Sequence, residues 1–513
     1  ISKQYQVCEL SFHRPQRGYH GRLRLGFDYE LPRRKLLTTH SLLTHQYITV
    51  SNIEFVRTNV NTSVVDQLIE LTATQNVTFT GCTLSALSDI TGDSFMVMVA
   101  VIAPNIYIED TNASHVATKH SVMVLDATGG SVLVLNCNFA DLLQRALTMS
   151  VRNATVLVNG TTIDSCNTYL DFEGGGFRLD ANQSQVVIAQ SIFKNNLNAG
   201  RSGGGASVVV NETQFNMTDC EFYNNTAPFS GGMYLITVTS GSTFLIRNTF
   251  HFNSATNGSL GIGGGFEVLL NYTTRDSQTL EIQDCTIDSN HALVGGGIGF
   301  GVSQPATVII YNTTFHNNTS TSGAGLFSAF PITLNNSRFL NNTAANFGAG
   351  MTLAWADTNP GTILLESCYF GGNIVLGGVG AAISALLGGT PTIEVHNSIF
   401  EYNQQSGSPD EESGKGGGMV FGAILGYFRM YNTTFSHNVG QYEDAVDFHV
   451  AALAESMVFE NVVAATSCFI EVGNAQLYNS TQFTSIESPK LSLFIKGELI
   501  QVDIGENFTI PGS

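Results

Sequence analysis

The sequence predicts an all-β fold, a right-handed parallel β-helix, and three observations support this. An apolar residue followed three places later by Asn recurs nine times, glycine-rich clusters recur between these copies, and charged residues make up only 12% of the chain. A repeat of about thirty residues gives each coil short strands and turns, which bury inward side chains only by stacking on neighbouring coils. Because a solenoid grows coil by coil, 513 residues do not require several domains.

The repeated motif has a small polar residue or Cys, any residue, Phe or Ile, and then Asn three places further on. Clear copies are CEFYNN at 220–225 and SRFLNN at 337–342. Strand side chains alternate between faces, so we expect the apolar residue to point inward, above its equivalents, with burial worth about 2 kcal/mol each. The predicted core ladder, at spacings of 24 to 37 residues, is Phe193, Phe222, Phe250, Ile287, Phe315, Phe339, Phe370, Phe400 and Phe435.

The Asn of each copy is predicted to occupy a turn in the left-handed region, which Asn tolerates better than most residues. Stacked Asn side chains can then hydrogen-bond to one another from coil to coil. The predicted turn residues are Asn196, Asn225, Asn253, Asn290, Asn318, Asn342, Asn373, Asn403 and Asn438.

Glycine-rich clusters such as GGGFEV at 263–268 predict a second corner, where positive φ or close backbone approach excludes side chains. Weaker copies of the repeat lie on both sides, including the strand-like stretch 490–504, which gives about fifteen coils. We expect an N-terminal cap or docking segment at 1–45, the β-helix over 46–505 and a C-terminal tail at 506–513.

The formal net charge is −19, and nine of the 22 basic residues lie within residues 1–57. The rest of the chain is acidic and has no basic stripe, which excludes nucleic-acid binding. The sequence contains no apolar run of about 18 residues, so we predict no membrane span. The basic segment 1–45 would cap the first coil or dock onto the acidic body of another copy.

Asn-x-Ser/Thr triplets are more frequent than composition predicts, because 19 of the 42 Asn residues begin one where chance gives about seven. The chain begins with Ile, as removal of a signal peptide would leave it. We therefore expect a secreted, N-glycosylated protein that is extracellular or at the cell surface. The predicted N-glycosylation sites are Asn61, Asn76, Asn112, Asn153, Asn159, Asn182, Asn211, Asn216, Asn224, Asn257, Asn271, Asn312, Asn317, Asn335, Asn341, Asn432, Asn479 and Asn507.

Of the eight cysteines, five stand two places before the apolar residue of a copy. These are Cys82, Cys137, Cys220, Cys285 and Cys368. They lie two or three coils apart, which is about 10 Å or more and beyond the reach of a disulfide. We predict that they are buried, unpaired and interchangeable with the Ser and Thr of other copies. Cys8, Cys166 and Cys468 lie outside this row and could pair. No zinc-site spacing occurs, and neither a metal nor a cofactor is expected.

The Phe-x-x-Asn motif and the glycine-rich cluster that follows it resemble the repeats of the polymorphic outer membrane proteins of chlamydial bacteria. They are also similar to the wider set of right-handed β-helix repeat proteins. Phe222 with Asn225, followed by the Gly cluster at 231–236, is a typical copy. The resemblance is clear over about residues 160–440 and weaker on either side. It implies a surface-exposed adhesin. The excess of glycosylation triplets is a departure, since it suits a eukaryotic glycoprotein better than a bacterial one.

Many β-helix proteins cleave polysaccharides with converging carboxylates, so an enzyme is one alternative. The candidate groups are Asp164, Asp171 and Glu173, and Glu443, Asp444 and Asp447. Neither group recurs beside a suitably placed Arg or Lys.

We predict a structural or adhesive rod without enzymatic activity, which self-associates into a filament, coat or surface appendage and can meet cell-surface or matrix ligands. A groove with three stacked carboxylates would favour the enzyme. Exposed aromatic rows would favour the second alternative, a monomeric glycan-binding module.

Overall fold

Every regular element in the described part of this computed structural model is a β-strand. The strands belong to two compact units, Ile1–Ala227 with Met233–Gly241 and Pro228–Gly232 with Ser242–Ser513. The residues described are 8–12, 21–25, 45–51, 54–58, 67–87, 95–169, 173–238, 241–256, 261–270, 279–301, 307–355, 361–388, 391–406, 417–423, 427–440, 448–452, 456–471, 474–478, 482–487, 491–495, 498–502 and 507–508.

Each coil has three faces, which we number along the chain. Face 1 precedes the small polar or Cys residue, face 2 carries the core ladder, and face 3 follows the glycine cluster. In the first unit, face 1 comprises His45–Ser51, Gln67–Thr80, Asn105–Glu109, Ser131–Leu135, Thr155–Asn159, Gln185–Ala189 and Gln214–Thr218. Face 2 comprises Glu54–Thr58, Thr83–Leu87, Asn112–Ser114, Asn138–Leu142, Thr162–Thr168, Ile192–Lys194 and Glu221–Tyr223, with short strands at Leu197–Asn198 and Thr226–Ala227. Face 3 comprises Phe95–Ile102, Thr118–Thr128, Arg145–Arg152, Phe177–Asn182, Ala206–Asn211 and Met233–Thr237, and the strand Gln67–Thr80 runs through face 3 into face 1.

The second unit has the same three faces. Face 1 comprises Ser242–Ile246, Thr279–Gln283, Thr307–Tyr311, Thr333–Asn335, Thr362–Glu366, Thr392–His396, Tyr427–Tyr431, Ser456–Glu460, Asn474–Tyr478 and Leu491–Ile495. Face 2 comprises Thr249–His251, Thr286–Asp288, Thr314–His316, Arg338–Leu340, Tyr369–Gly371, Ile399–Glu401, Thr434–Ser436 and Gln482–Glu487, with short strands at Ser254–Ala255, Thr319–Ser322, Thr343–Phe347, Ile374–Val375 and Gln404–Gln405. Face 3 comprises Phe266–Leu270, Ile298–Gly301, Leu326–Ser328, Met351–Trp355, Ile383–Leu387, Met419–Ala423 and Phe448–Ala452, and Val463–Glu471 runs through faces 2 and 3.

Equivalent strands of successive coils pair in parallel and in register, as at Leu157 with Val187 and Phe193 with Phe222. The well-defined part of the solenoid has about 11 turns, so the prediction of about fifteen coils is corrected. At the C-terminal end only the first half of the stretch 490–504 continues the stack, since Leu491–Ile495 pairs in parallel with Asn474–Tyr478. Leu491–Ile495 pairs antiparallel with Glu498–Val502, because the chain turns back on itself there. Near the N-terminus, Cys8–Phe12 pairs antiparallel with Gly21–Leu25.

All nine residues of the predicted core ladder are buried, with at most 1% of each exposed. Consecutive rings stack almost in parallel: Phe315 and Phe339 have centroids 4.4 Å apart at 2°, and Phe370 and Phe400 have centroids 4.9 Å apart at 3°. Ile287 pairs with Phe250 on one side and Phe315 on the other. Apolar burial and ring stacking therefore both favour one register.

In each unit, a row of buried Asn side chains runs beside the core ladder. Asn318 Nδ2 donates to Ile287 O at 2.9 Å and to Asn342 Oδ1 at 3.0 Å. Its own Oδ1 accepts from the backbone N and from Nδ2 of Asn290, both at 3.0 Å. The same pair of bonds joins Asn196 to Asn225, Asn253 to Asn290, Asn342 to Asn373, Asn373 to Asn403 and Asn403 to Asn438. Each buried amide thus has its polar atoms satisfied by adjacent coils.

The prediction that these Asn residues adopt the left-handed conformation is wrong by one residue. None of the nine has a positive φ, whereas the residue before each has a φ between 51° and 65°. The reason is geometric: the left-handed residue interrupts the alternation, so Phe and the Asn three places later both point inward. We call these preceding residues the outer turn column: Asn195, Asn224, Phe252, Ser289, Asn317, Asn341, Gly372, Tyr402 and His437.

At the glycine corner the backbones of successive coils touch. Gly263 has a φ of 70°, and a Cβ on Gly264 would lie 2.3 Å from Gly296 O. Side chains are excluded by contact as well as by conformation. In later coils Ala replaces one glycine of the cluster, and Ala324, Ala349 and Ala381 belong to a small buried apolar cluster.

We expect Asn318→Leu to lower the free energy of unfolding by about 3 kcal/mol, because it leaves Ile287 O and two donors of Asn290 without their bonds. The control is Asn317→Gly, which removes an exposed side chain at a left-handed residue and should cost under about 1 kcal/mol. Urea unfolding followed by circular dichroism measures both. Equal losses of unfolding free energy in Asn318→Leu and Asn317→Gly would contradict a structural role for the buried amide row.

Candidate functional surface

The interior is filled by stacked side chains, so chemistry with other molecules must use outward-facing residues. The predicted glycosylation triplets are the most widespread of these. Eight of their Asn residues are exposed, namely Asn112, Asn153, Asn224, Asn312, Asn317, Asn335, Asn341 and Asn432. Five are half-buried, namely Asn76, Asn159, Asn182, Asn211 and Asn216. The remaining five, Asn61, Asn257, Asn271, Asn479 and Asn507, lie outside the described residues or have undescribed side chains.

One further triplet begins at Asn318, which is fully buried in the amide row. Its neighbour Asn317 also begins a triplet but is exposed. Asn317 and Asn318 therefore carry the same sequence signal for glycosylation, but only Asn317 is accessible on the surface.

The carboxylate Asp164 lies on face 2 and is held by its neighbours. Asn195 Nδ2 donates to its Oδ1 at 2.9 Å, Ser165 Oγ donates to the same oxygen at 2.9 Å, and Lys194 Nζ lies 3.3 Å from Oδ2. Burial alone would raise the pKa of Asp164, but these three hydrogen bonds outweigh it and lower the pKa. Asp164 is thus maintained as a carboxylate.

The second candidate described, Glu173, lies near two arginines. Arg178 Nη1 is 3.8 Å from Glu173 Oε2 and Nε is 2.9 Å from Asp180 Oδ2. Arg145 is buried, donates from Nε to Gly174 O at 2.7 Å and also bonds Glu173 O. Burial lowers the pKa of Arg145 to about 10. These contacts bind one coil to the corner of the next. Asp171, Glu443, Asp444 and Asp447 lie outside the described residues.

A polar cluster on face 1 of the second unit was not predicted. His396 Nδ1 lies 3.2 Å from Glu366 Oε2 and its Nε2 lies 3.7 Å from Glu394 Oε2, while Arg429 Nη1 lies 3.2 Å from Glu394 Oε1. The residues stand at outward strand positions of successive coils, so strand alternation combined with the repeat could have found them. Over the described ranges, no group of three or more His, Cys, Asp or Glu side chains is placed to hold a metal ion.

A carboxyl group is also buried beneath a glycine corner. Glu267 follows the Gly263 cluster, is 6% exposed and accepts a hydrogen bond from Ser230 Oγ. Burial raises the pKa of Glu267 to about 7, an effect that the Ser230 hydrogen bond opposes without cancelling. No sequence signal distinguishes this position from the outward positions of other strands.

The five cysteines of the predicted row are buried as thiols, and so is Cys166. Cys285 Sγ donates to Gln283 O at 3.2 Å and accepts from Asn248 N at 3.4 Å. Ser398 Oγ makes the equivalent bonds, to His396 O at 2.7 Å and from Cys368 N at 3.1 Å. The thiol and the hydroxyl therefore serve the same purpose in this row. The side chains of Cys8 and Cys468 are not described.

The parallel, in-register coils define the class of protein, an all-β parallel β-solenoid. Residues 67–255 match the family model described as right-handed beta helix region, which gives the coils a right-handed sense over that span. No curated protein matches the chain, and the resemblance to chlamydial surface proteins stays a prediction. The described residues contain no helix with the length and apolarity to cross a membrane.

We expect the native protein to resist thiol alkylation at pH 8, because burial raises the pKa of Cys220, Cys285 and Cys368 to about 12. Maleimide labelling followed by peptide mass spectrometry should modify these cysteines only after unfolding. Cys285→Ser should change the unfolding free energy by less than about 1 kcal/mol. Rapid labelling of the folded protein would contradict this description.

We expect Glu267 to make stability depend on pH. The folded state holds this proton with a pKa of about 7, against 4.5 for the ordinary side chain. Because the folded state binds the proton more tightly, the contribution of Glu267 to the unfolding free energy is fully present below pH 4.5 and is lost, by about 3 kcal/mol, as the pH rises through about 7.

Urea unfolding between pH 4 and pH 8 tests this expectation. Glu267→Gln keeps an acceptor for Ser230 and should remove the fall in stability. Glu281→Gln, on an outward position of face 1, is the matched control and should leave the pH profile unchanged. An identical profile for the wild type and Glu267→Gln would refute the assignment.

Proposed function

We propose that this protein is a secreted, N-glycosylated scaffold with a structural or adhesive role outside the cell. The β-helix fold is consistent with adhesins and with polysaccharide-active proteins. The observation that carries the proposal is the division between a nearly constant interior and a variable exterior. Phe fills eight of the nine positions of the core ladder, with Ile287 at the ninth, and Asn fills the buried amide row, while the outer turn column reads Asn, Phe, Ser, Gly, Tyr and His. Such a chain can vary its surface without altering its core.

The state of Asp164 disfavours one catalytic role, that of the general acid of a glycosidase. A glycosidase needs a general acid whose pKa is raised, beside a second carboxylate at a fixed distance. The pKa of Asp164 is lowered instead, by bonds from Asn195, Ser165 and Lys194. An Asp in this state is suited to an ion pair between coils.

The exposure of the glycosylation triplets supports secretion. Eight predicted acceptor Asn residues are exposed on turns or strand ends, where a transferase reaches a folded or folding chain. A dense glycan coat with the acidic surface would keep the protein soluble and direct contacts to the uncovered areas. The proposed association of copies is supported by the uneven distribution of charge along the chain. Nine of the 22 basic residues lie within residues 1–57, and this basic segment would be attracted to the acidic remainder of another copy.

We expect protein from its natural source to carry N-glycans at exposed triplets and none at Asn318, which is buried in the amide row. Enzymatic deglycosylation in heavy-oxygen water, followed by peptide mass spectrometry, marks each occupied Asn. Asn317 and Asn318 form an internal comparison within one peptide. Unmodified Asn at every triplet would contradict secretion through a glycosylating pathway, and electron microscopy of the same material would reveal filaments or single particles.

A further inference from the structure

The outer turn column is interrupted at Gly372. In the preceding coils this place holds Asn317 and Asn341, and in the following coils it holds Tyr402 and His437, all with φ between 52° and 56°. Register pairs Gly371 with Glu401 and Glu401 with Ser436, so Gly372, Tyr402 and His437 follow one another along the column. The glycine leaves this place of the column without a side chain.

The gap uncovers one face of an aromatic ring. Tyr402 stacks on His437, with ring centroids 4.9 Å apart and planes at 13°. The opposite face of Tyr402 is directed to the coil of Gly372, which has no side chain to cover it, and 57% of Tyr402 is exposed. A large exposed apolar side chain held rigidly by a stacked neighbour is a feature of binding surfaces.

Polar groups surround this open ring face. The Tyr369 ring lies over Gly371, which is possible because Gly371 has no side chain. A Cβ on Gly371 would lie 2.5 Å from Tyr369 Cε1. The Tyr369 hydroxyl donates to Glu401 Oε1 at 2.5 Å. On the far side, Asn341 Oδ1 leans toward Gly372 and would lie 2.4 Å from a Cβ at that residue. Asn341, Gly372 and Tyr402 therefore form two walls and the floor of a slot.

The size of the slot follows from the spacing of the coils. Asn341 and Tyr402 are two coils apart, which is about 9.6 Å along the stack. A ring that lies about 4 Å from Tyr402 leaves room for van der Waals contact with the Asn341 amide. The slot thus fits one layer of ligand between the Tyr402 ring and the Asn341 amide, whose oxygen already reaches the place of a Cβ on Gly372.

We propose that this slot binds a neutral pyranose of an extracellular glycan. The negative face of the Tyr402 ring attracts the C–H groups of a sugar face, while the Asn341 amide and the Glu401 carboxylate can accept hydrogen bonds from its hydroxyl groups. Glu401 and the net charge of −19 disfavour an acidic sugar. This inference rests on the adhesive form of the proposed function and names its ligand class.

The test uses the full chain produced without N-glycans, so that no attached sugar competes for the slot. The probes are neutral trisaccharides of glucose, galactose, mannose and N-acetylglucosamine, with a trisaccharide of galacturonic acid for comparison. Saturation-transfer NMR and calorimetric titration measure binding. We expect at least one neutral probe to bind and the acidic probe to bind more weakly.

Three variants locate the binding. Gly372→Asn restores the residue found at Asn317 and Asn341, which suits the same φ. Its Cβ would lie 2.4 Å from Asn341 Oδ1, so the Asn341 side chain has to shift, and the new side chain covers the Tyr402 ring face. Gly372→Asn and Tyr402→Ala should each weaken binding by about tenfold or more, while Tyr402→Phe, which keeps the ring, should bind nearly as the wild type does. Circular dichroism and the melting temperature of each variant confirm that it is folded.

Two results would overturn the inference. Binding of a neutral probe that is unchanged in both Gly372→Asn and Tyr402→Ala would place the glycan site elsewhere and leave an adhesive role intact. Failure of the wild type to bind any probe at millimolar concentration would remove the glycan ligand. Neither result bears on secretion or assembly, which glycan mapping and microscopy of the natural material test separately.

Discussion

The buried amide row constrains this structure more than any other interaction. An Asn side chain in an apolar interior is costly unless all of its polar atoms are bonded. In the row, Asn318 bonds Asn290, Asn342 and Ile287 O, and it can do so only when the three coils are in one register. Apolar side chains alone would accept a shift along the strand more readily than these amides do. The row therefore selects the register in which the Phe ladder and the glycine corner also stack.

With the register fixed, the rest of each coil can vary. The position before the buried Asn turns outward in the left-handed conformation, and it accepts Asn, Phe, Ser, Gly, Tyr or His. The row that holds Cys285 and Ser398 accepts either a thiol or a hydroxyl, because both donate to the carbonyl two residues back. Variation at outward positions changes the surface while the paired strands and buried ladders stay the same.

Much of the fold could be predicted because its signals repeat. Phe339 and Asn342 recur at fixed separation from coil to coil, so the parallel β-helix and its buried faces follow from alternation and stacking. The exact turn could not be predicted, since Asn341 and Asn342 are identical in type and only geometry shows that Asn341 is left-handed and Asn342 points inward. The ends were also missed, because Glu498–Val502 has a strand composition whether it pairs in parallel or folds back.

The surface was harder to predict, for a physical reason. Comparing the repeated copies identifies the residues that all coils share. The proposed glycan site depends instead on one coil that lacks a side chain, at Gly372. Gly372 and Tyr402 were visible in the aligned copies, at the variable place before the Asn, yet their meaning depends on a ring face that only the stacking order exposes. Glu267 is another example, since its burial and its contact with Ser230 depend on the preceding coil.

The central claim is that each coil is an interchangeable unit held by vertical register, and deletion of one coil tests it most directly. Thr314 pairs with Arg338, so removing residues 314–337 joins Thr313 to Arg338 and brings Phe339 onto Ile287 and Asn342 onto Asn290. We predict a folded, monodisperse protein with unchanged circular dichroism per residue, whereas removing 314–336, which shifts the register by one residue, should yield an unstable or aggregated product. Similar stability for the two deletions, or failure of the in-register deletion to fold, would contradict the account.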